Sequence, residues 1–365
     1  MSNIYVNSGI GAQLVMIPEG TYGVAPTLSG ANLMPYEFDS EGLELTKTVV
    51  QGKGLHAGGL YNRANRRKLT NYQAAGPITM DLPTRYLNQL IMQMMGSKGQ
   101  SNATLAQIGT SGVYKAVHAP GSLTGTSMCI QKGVPSVDGT APNPFTYVGM
   151  KLADWEISVA TGAIAKFALN WTGRNELGGP GNGDPLNGTV PALATFSEVN
   201  TNDVFHFREA QVLTGGTPST ASGITSLSGG TVAGNIKTAA VKQAFKYNTS
   251  RFFLGSNGFK GEPIENDYRD ITGSFEIEWL NAETMYAAFA TDTPTSLQLT
   301  FTGAIEGTSG TNTQLLQILI PLLYIDTEAP KIAGPDVVTQ KCAWTALDDG
   351  TNNTIQITYQ TLDTI

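Results

Sequence analysis

Apolar and polar residues alternate with a period of two in short runs along most of the chain. Pro77 to Leu82, Trp155 to Val159, Lys166 to Trp171, Phe275 to Trp279, Leu297 to Thr302 and Thr354 to Tyr359 each read as a strand, since successive strand side chains leave opposite faces. Clusters of Gly, Asn and Pro separate the runs, as turns require. Helical periodicity is scarce. From Thr84 to Met95, the residues Tyr86, Leu87, Leu90, Ile91, Met94 and Met95 fall on one stripe, and Gly96 supplies a stop. A second helix is expected over Ala282 to Ala290. Two segments lack periodicity. Asn175 to Val190 is too rich in Gly, Pro and Asn for regular structure and reads as a linker, while Gly215 to Gly234 reads as a mobile or surface excursion.

The pattern occurs twice. Gly76-Pro-Ile-Thr-Met-Asp-Leu followed by a helix at Thr84 has the layout of Gly273-Ser-Phe-Glu-Ile-Glu-Trp followed by a helix at Ala282. Ser122-Leu-Thr-Gly-Thr then matches Ser296-Leu-Gln-Leu-Thr, Trp155-Glu-Ile-Ser matches Leu323-Tyr-Ile-Asp, and Ala165 to Trp171 matches Gln340 to Ala346. Upstream, Tyr36 to Ser40 precedes the first unit much as Lys246 to Ser250 precedes the second. Matches in one order predict a mainly β chain, a β-sandwich or barrel with short flanking helices, built as two tandem units. The units span residues 1–174 and 191–365, with the linker at 175–190.

Composition narrows the function. Charged residues make up 14% of the 365, where about 25% is usual, and Gly, Thr, Ser, Asn and Ala take their place. Burying Thr or Asn against another protein costs far less than burying Lys or Glu, so this surface suits assembly. A formal net charge of −7 argues against gripping nucleic acid through its phosphates. Cys129 and Cys342 stand apart in apolar contexts and are expected as reduced core residues, not as a disulfide or zinc site. The first residues show no basic stretch before a long apolar run, and no run reaches about 18 apolar residues, so a bacterial cytosol is the expected place of synthesis and no membrane is implied.

Catalytic and ligand-binding patterns are missing. His56, His118 and His206 are well separated from each other and from cysteine, leaving no zinc spacing or Ser/His/Asp arrangement. No phosphate-binding glycine loop occurs. Asp348-Asp349-Gly350 reads as a hairpin turn ahead of a calcium site. Neither enzyme activity nor a cofactor or metal is expected.

Four stretches resemble a known family, the tail-tube proteins of long-tailed bacteriophages, in the larger class with two tube-like units per chain. They are Glu19-Gly-Thr-Tyr-Gly-Val-Ala-Pro-Thr, the Gly-strand-helix blocks at Gly76 and Gly273, Phe145-Thr-Tyr-Val-Gly-Met-Lys-Leu, and Ala333-Gly-Pro-Asp-Val-Val-Thr-Gln-Lys. The resemblance implies units whose hairpins join into a continuous β-barrel on oligomerisation. Six units close a ring, and stacked rings make the tube that conducts DNA from capsid to host. Two units per chain then imply a homo-oligomeric ring of three chains with approximate sixfold symmetry, or alternatively six chains with the second half outside. The implied lumen holds the tape-measure protein and passes double-stranded DNA, both without specific binding. A tail terminator or baseplate ring protein shares the fold, and a β-sandwich receptor-binding or adhesin protein stays open as another class.

Two charge features fit this scheme. Glu37, Asp39 and Glu41 are expected on one strand face, Glu276 and Glu278 on another, with Asp81 in the matching place of the first unit. Facing a lumen, such acids repel passing DNA. The second feature is the basic cluster Arg63, Arg66, Arg67 and Lys68 within the Gly-rich excursion Gln51 to Ala75. Its counterpart, Gly255 to Thr272, is shorter and holds Glu262, Glu265, Asp267 and Asp270, so both are candidate subunit or ring interfaces.

Overall fold

The computed structural model describes residues 8–29, 33–137, 142–178, 191–195, 203–221, 224–280, 284–306, 312–327, 329–332 and 334–364. Its centre is a continuous antiparallel sheet. The strands are β1 (Glu44–Gln51), β2 (Arg67–Asp81), β3 (Asn143–Ala160), β4 (Lys166–Gly173), β5 (Ile236–Ala244), β6 (Asp270–Glu278), β7 (Asn312–Thr327) and β8 (Thr339–Ala346). Their order across the sheet is β1-β2-β4-β3-β5-β6-β8-β7. Two four-strand ladders of the same order, β1-β2-β4-β3 and β5-β6-β8-β7, therefore lie side by side. They are joined where Asp154 to Ala160 of β3 pairs with Thr238 to Ala244 of β5.

Alternation decides which face is buried. In β4, Phe167, Leu169 and Trp171 point inward while Lys166, Ala168, Asn170 and Thr172 point out, as strict period-two patterning demands. The inner face packs against further strands. On the first ladder these are Gln13–Pro18, Met34–Tyr36, Met128–Val134, the beginning of β3 and Asn175–Leu177. On the second they are Ala210–Thr214, Thr295–Glu306, the beginning of β7 and Gln356–Thr361, which also pairs with Tyr114–His118 from the first half. One hydrophobic cluster runs through both, from Leu14 to Tyr359. Helix α1 (Asn88–Met95) follows β2, and α2 (Thr284–Ala290) follows β6.

A glycine sits across from a tryptophan in each ladder. Gly76 of β2 faces Trp171 of β4, and Gly273 of β6 faces Trp344 of β8. A Cβ on Gly273 would lie 2.1 Å from the Trp344 ring and 2.3 Å from the Ala240 carbonyl oxygen. On Gly76, with φ near +153°, it would lie 2.1 Å from the Gly42 carbonyl oxygen. Both indoles are buried, and neither Nε1 has a hydrogen-bond partner. At Gly273 only a residue without a side chain lets the strands close beside so large a ring, and at Gly76 the backbone of Gly42 and Leu43 leaves no room for one.

The expected strands are present, mostly longer than the patterns that foretold them. Helix α1 begins at Asn88, not Thr84, because Tyr86 adopts φ 61° and gives its N–H to Asp363 Oδ2 at 2.6 Å. It ends as expected on left-handed Gly96. The expected start of α2 at Ala282 lies outside the described residues. Of the segment read as an irregular linker, Asn175–Leu177 is a strand paired with Thr146 to Val148, and residues 179–190 lie outside the described residues. The stretch from Gly215 to Gly234 is no loose excursion. It forms a hairpin, Thr217–Ala221 with Ile224–Ser228, tied down by Leu227 N–H on Gln298 Oε1 (2.9 Å) and Gln317 Nε2 on the Thr225 carbonyl (2.6 Å). Several of the sequence matches shift, and Trp155, opposite Leu169, corresponds to Thr327, opposite Cys342, not to Leu323. Trp171 corresponds in the ladders to Trp344, not Ala346, and the residue facing Gly273 is Val241, which moves the counterpart of Lys246 away from Tyr36.

Candidate functional site

The open face of the eight-strand sheet is polar and mixed in charge. Asp81, Asp154, Glu156, Asp270, Glu276, Glu278 and Asp326 rise from it, among small residues such as Ala168, Ser158, Ala240 and Ser274. Lysines interleave with the acids. Lys166 bridges Asp39 (2.8 Å) and Asp81 (2.6 Å), Lys237 meets Glu278 (2.8 Å), Lys242 meets Asp154 (3.6 Å), and Glu276 lies opposite Lys341. Asp39, then Asp81, raise the Lys166 pKa. The face is thus an acid-rich surface studded with ion pairs, not a bare acidic wall. Alternation was the signal that would have added Asp154 and Glu156 to the expected set.

The grouping of Glu37, Asp39 and Glu41 on one strand face does not hold. The strand breaks between Met34–Tyr36 and Ser40–Glu41, so Glu37 and Asp39 lie in a connection where alternation has no meaning. Glu41 pairs with inward-facing Ile78 and reaches Lys132 Nζ at 2.9 Å, beneath the sheet. There it accepts the Leu43 N–H (3.0 Å), while the Leu43 carbonyl accepts from Lys132 Nζ (2.8 Å) and Tyr147 Oη (2.9 Å). Side chains close the β1 edge at Leu43.

Beyond that point β1 has a strand neighbour on one side only among the described residues. Gly42 N–H donates to the Pro77 carbonyl, so by antiparallel alternation the N–H groups of Leu45 and Lys47 point away from β2, toward the open edge. At the other end of the sheet, Tyr324 to Thr327 of β7 pair with β8 and with no other strand among the described residues. The joined edges in the middle are their counterparts: Phe245, which corresponds to Lys47, donates its N–H across the junction to the Ala153 carbonyl at 2.9 Å.

A strap reinforces this junction. Fifteen residues, 249–263, leave the β5-β6 hairpin and fold over the first ladder. Phe259 stacks on Tyr72 at 5.5 Å, Tyr72 N–H donates to the Gly258 carbonyl (2.9 Å), and Arg174 lies over the Phe259 ring. Lys260 is buried against Thr172 Oγ1 (2.9 Å), and its burial lowers the pKa to about 8. Glu262 Oε1 accepts from buried Lys151 Nζ and from Gly125 N–H, both at 2.7 Å. The Glu19-Gly-Thr-Tyr-Gly stretch braces the seat: Glu19 accepts from Gly23, Ser127 and Gly149, and Tyr22 Oη reaches the Gly261 carbonyl.

The interface candidates divide accordingly. Glu262 is engaged inside the chain with Lys151, and Glu265 with Arg269 at 2.6 Å, so neither is free for another subunit. Asp270 pairs with Lys246, and Asp267 is exposed. On the basic side, Arg67 and Lys68 belong to β2, paired with Gln51 and Val50, while Arg63 and Arg66 sit in the loop; all four are exposed. That loop, 52–66, is the true counterpart of the strap and equals it at fifteen residues. The expected shorter acidic counterpart was misplaced because the strap's length shows only once β5 is known to pair with β6.

No cluster of three metal-ligating side chains occurs among the described residues. Both cysteines are buried, and no disulfide joins them. The Asp348-Asp349-Gly350 turn is closed by its own bonds, Gly350 N–H to Asp348 Oδ1 and Thr351 N–H to Asp349 Oδ1, both 2.8 Å, but it links strands that each pair with β7 and is not a hairpin. The described residues thus present a sheet with two open edges and a polar face. The chain belongs to the phage tail tube protein family, whose model matches residues 9–346. It is accordingly a structural protein of the virion tail that assembles into a tube, in a family that is not one of enzymes. No curated protein matches the chain. No helix among the described residues is long and apolar enough to cross a membrane.

His118 has a structural role with a measurable signature. It is fully buried, its Nδ1 2.8 Å from Ser97 Oγ and its Nε2 3.1 Å from Asn88 Oδ1, a pair of bonds that the neutral ring satisfies. Burial pushes its pKa down to about 3. The unfolded chain takes up the proton near pH 6.5 and the folded chain does not, so the stabilisation is complete above pH 6.5 and declines as pH falls toward 3. Relative to His118→Gln, the native chain is expected to lose about 2 kcal/mol between pH 7 and pH 5. Denaturant unfolding of the unassembled chain at both pH values checks this; parallel pH profiles would contradict it.

Proposed function

We infer that three chains close each ring of the tail tube, joining β1 of one chain to β7 of the next, and that stacked rings conduct double-stranded DNA from capsid to host. The observation that carries this reading is the β3-β5 junction. It joins two ladders of identical order inside one chain, so the same join between chains extends the sheet without a new kind of contact. Closure is heterologous, first unit to second unit, and three successive rotations of one third of a turn return the sheet to its start. A closed barrel removes both edges, which are otherwise a template for uncontrolled pairing. Linking two units covalently also makes half the joins intramolecular, escaping much of an association cost of roughly 4–15 kcal/mol each. The alternative of six chains with the second half outside is disfavoured, since that half lies in the same sheet as the first.

The open face then lines the lumen. Its acids exceed its lysines, which favours free passage of DNA and of the tape-measure protein, and its many Ala, Ser and Thr side chains give a passing duplex little to hold. Chains made in the host cytoplasm would assemble there around the tape measure.

Two outcomes test the reading. Lys47→Pro removes an N–H that points to the open edge and leaves the β2 ladder intact, so the chain should fold with a near-native thermal midpoint yet form no rings by electron microscopy. Native-like rings from this variant would contradict the edge assignment. Replacing Glu276 and Glu278 together with Lys should leave rings intact but slow DNA exit at low salt, with the difference fading as the screening length drops below about 10 Å above 0.1 M. An unchanged exit rate at low salt would remove these residues from the lumen.

A further inference from the structure

We propose that the basic loop 52–66 straps onto the second ladder of the neighbouring chain in the same ring, seating on Asp267, Tyr268, Tyr324, Thr345, Leu347 and Asp348. The proposal rests on the three-chain ring and deepens it by naming the surface that locks each join between chains.

The strap 249–263 supplies the template. It seats on Thr70 to Tyr72, Lys151, Thr172 and Arg174 of the first ladder, holding the junction inside the chain. The Gly76/Gly273 and Trp171/Trp344 pairs set the correspondence between ladders. They carry Thr70 and Asn71 to Asp267 and Tyr268, and Thr172 and Arg174 to Thr345 and Leu347. Lys151, opposite Thr172, goes to Tyr324, opposite Thr345. The two loops correspond as well: each is fifteen residues long, and Gly58 (φ 74°) and Gly255 (φ 88°) stand at the same step beyond Gln51 and Asn248. Among the described residues the first ladder's seat is filled and no segment covers the second ladder's seat.

Exposure and charge agree with this docking. Leu60 and Tyr61 of the loop are 92% and 86% exposed, and Tyr268 and Leu347 of the second seat are 89% and 50% exposed. Apolar groups gathered so openly on both surfaces are what a buried contact uses. The charges are reversed between the two seats. In the first seat Lys151 meets Glu262, the one acid of a strap that also carries Arg251 and Lys260, whereas the loop carries Lys53, Arg63 and Arg66 with no acid, and the second seat carries Asp267 and Asp348. Without an acid to answer Lys151 the loop suits the second ladder better than the first, and rings close head to tail.

Cross-linking gives the direct test. Gly258 corresponds to Tyr61, and a Cβ there would lie 3.5 Å from the Cα of Asn71, the counterpart of Tyr268. The double variant Tyr61→Cys with Tyr268→Cys, with Cys129 and Cys342 buried and silent, should link chains on oxidation of assembled rings, giving covalent dimers and trimers and nothing larger. A short bis-maleimide serves as the second reagent should the disulfide geometry be imperfect. Rings that resist both reagents overturn the seat while sparing the ring; products beyond three chains show the loop meeting another ring or a larger one and also overturn it. Failure of the native chain to form rings would instead sink the reading underneath. As a charge test, Arg63→Glu with Arg66→Glu should raise the protein concentration needed for ring formation about tenfold or more, and Asp267→Lys with Asp348→Lys in the same chain should restore it. No restoration would count against the pairing.

Discussion

An antiparallel ladder has no natural end. Every strand at the margin of a sheet leaves alternate N–H and C=O groups unpaired, and in this chain that constraint organises everything else. Inside the chain it is met by the β3-β5 join, where Phe245 donates to Ala153 and the two ladders become one sheet. At Leu43 it is met by side chains, Glu41, Lys132 and Tyr147, which occupy backbone groups that no strand reaches. Past Leu43, and along Tyr324 to Thr327, it is met by nothing within the described chain. In the proposed ring the neighbouring chain supplies the missing strand.

The strap shows how a backbone join acquires specificity. Main-chain hydrogen bonds accept any strand, so they give affinity without choice. Selection comes from what is laid across the join: Phe259 on Tyr72, Lys260 under Thr172, and Glu262 on Lys151. Removing one partner of a buried pair such as Lys151 and Glu262 costs several kcal/mol, which fixes the two ladders in one register. The proposed docking of the basic loop, exposed in a chain of net charge −7, uses the same division of labour, a general ladder beneath a particular strap.

What the sequence disclosed follows from the range of each interaction. Period-two patterning is local, so nearly all of β4 and the second half of β6 were legible in it, and so was the helix stop at Gly96. The helix start was not, because Tyr86 is turned by Asp363, far away in the chain. Gly215 to Gly234 looked loose because the groups that order its hairpin, Gln298 and Gln317, lie in other strands. Glu41 was placed on the wrong face because alternation was carried through a break at residues 37–39 that has no sequence marker. Glu262 looked free because its partner Lys151 becomes visible only when the strap is folded back, whereas Glu265 is taken by Arg269, four residues further along the chain. The Gly-Trp pairs are the opposite case, a long-range contact foreshadowed in sequence by the paired glycines at 76 and 273, though with the tryptophans two residues out of step.

The central claim is that both ladders line one lumen, with three chains to a ring. An electron cryo-microscopy map of the assembled tube, reconstructed without imposed symmetry, tests it most directly. The account predicts threefold symmetry with a near-repeat at sixty degrees, and β1 of each chain paired with the end of β7 of its neighbour. Six identical chains around the lumen, with the β5-β6-β8-β7 ladder on the outside, would contradict it.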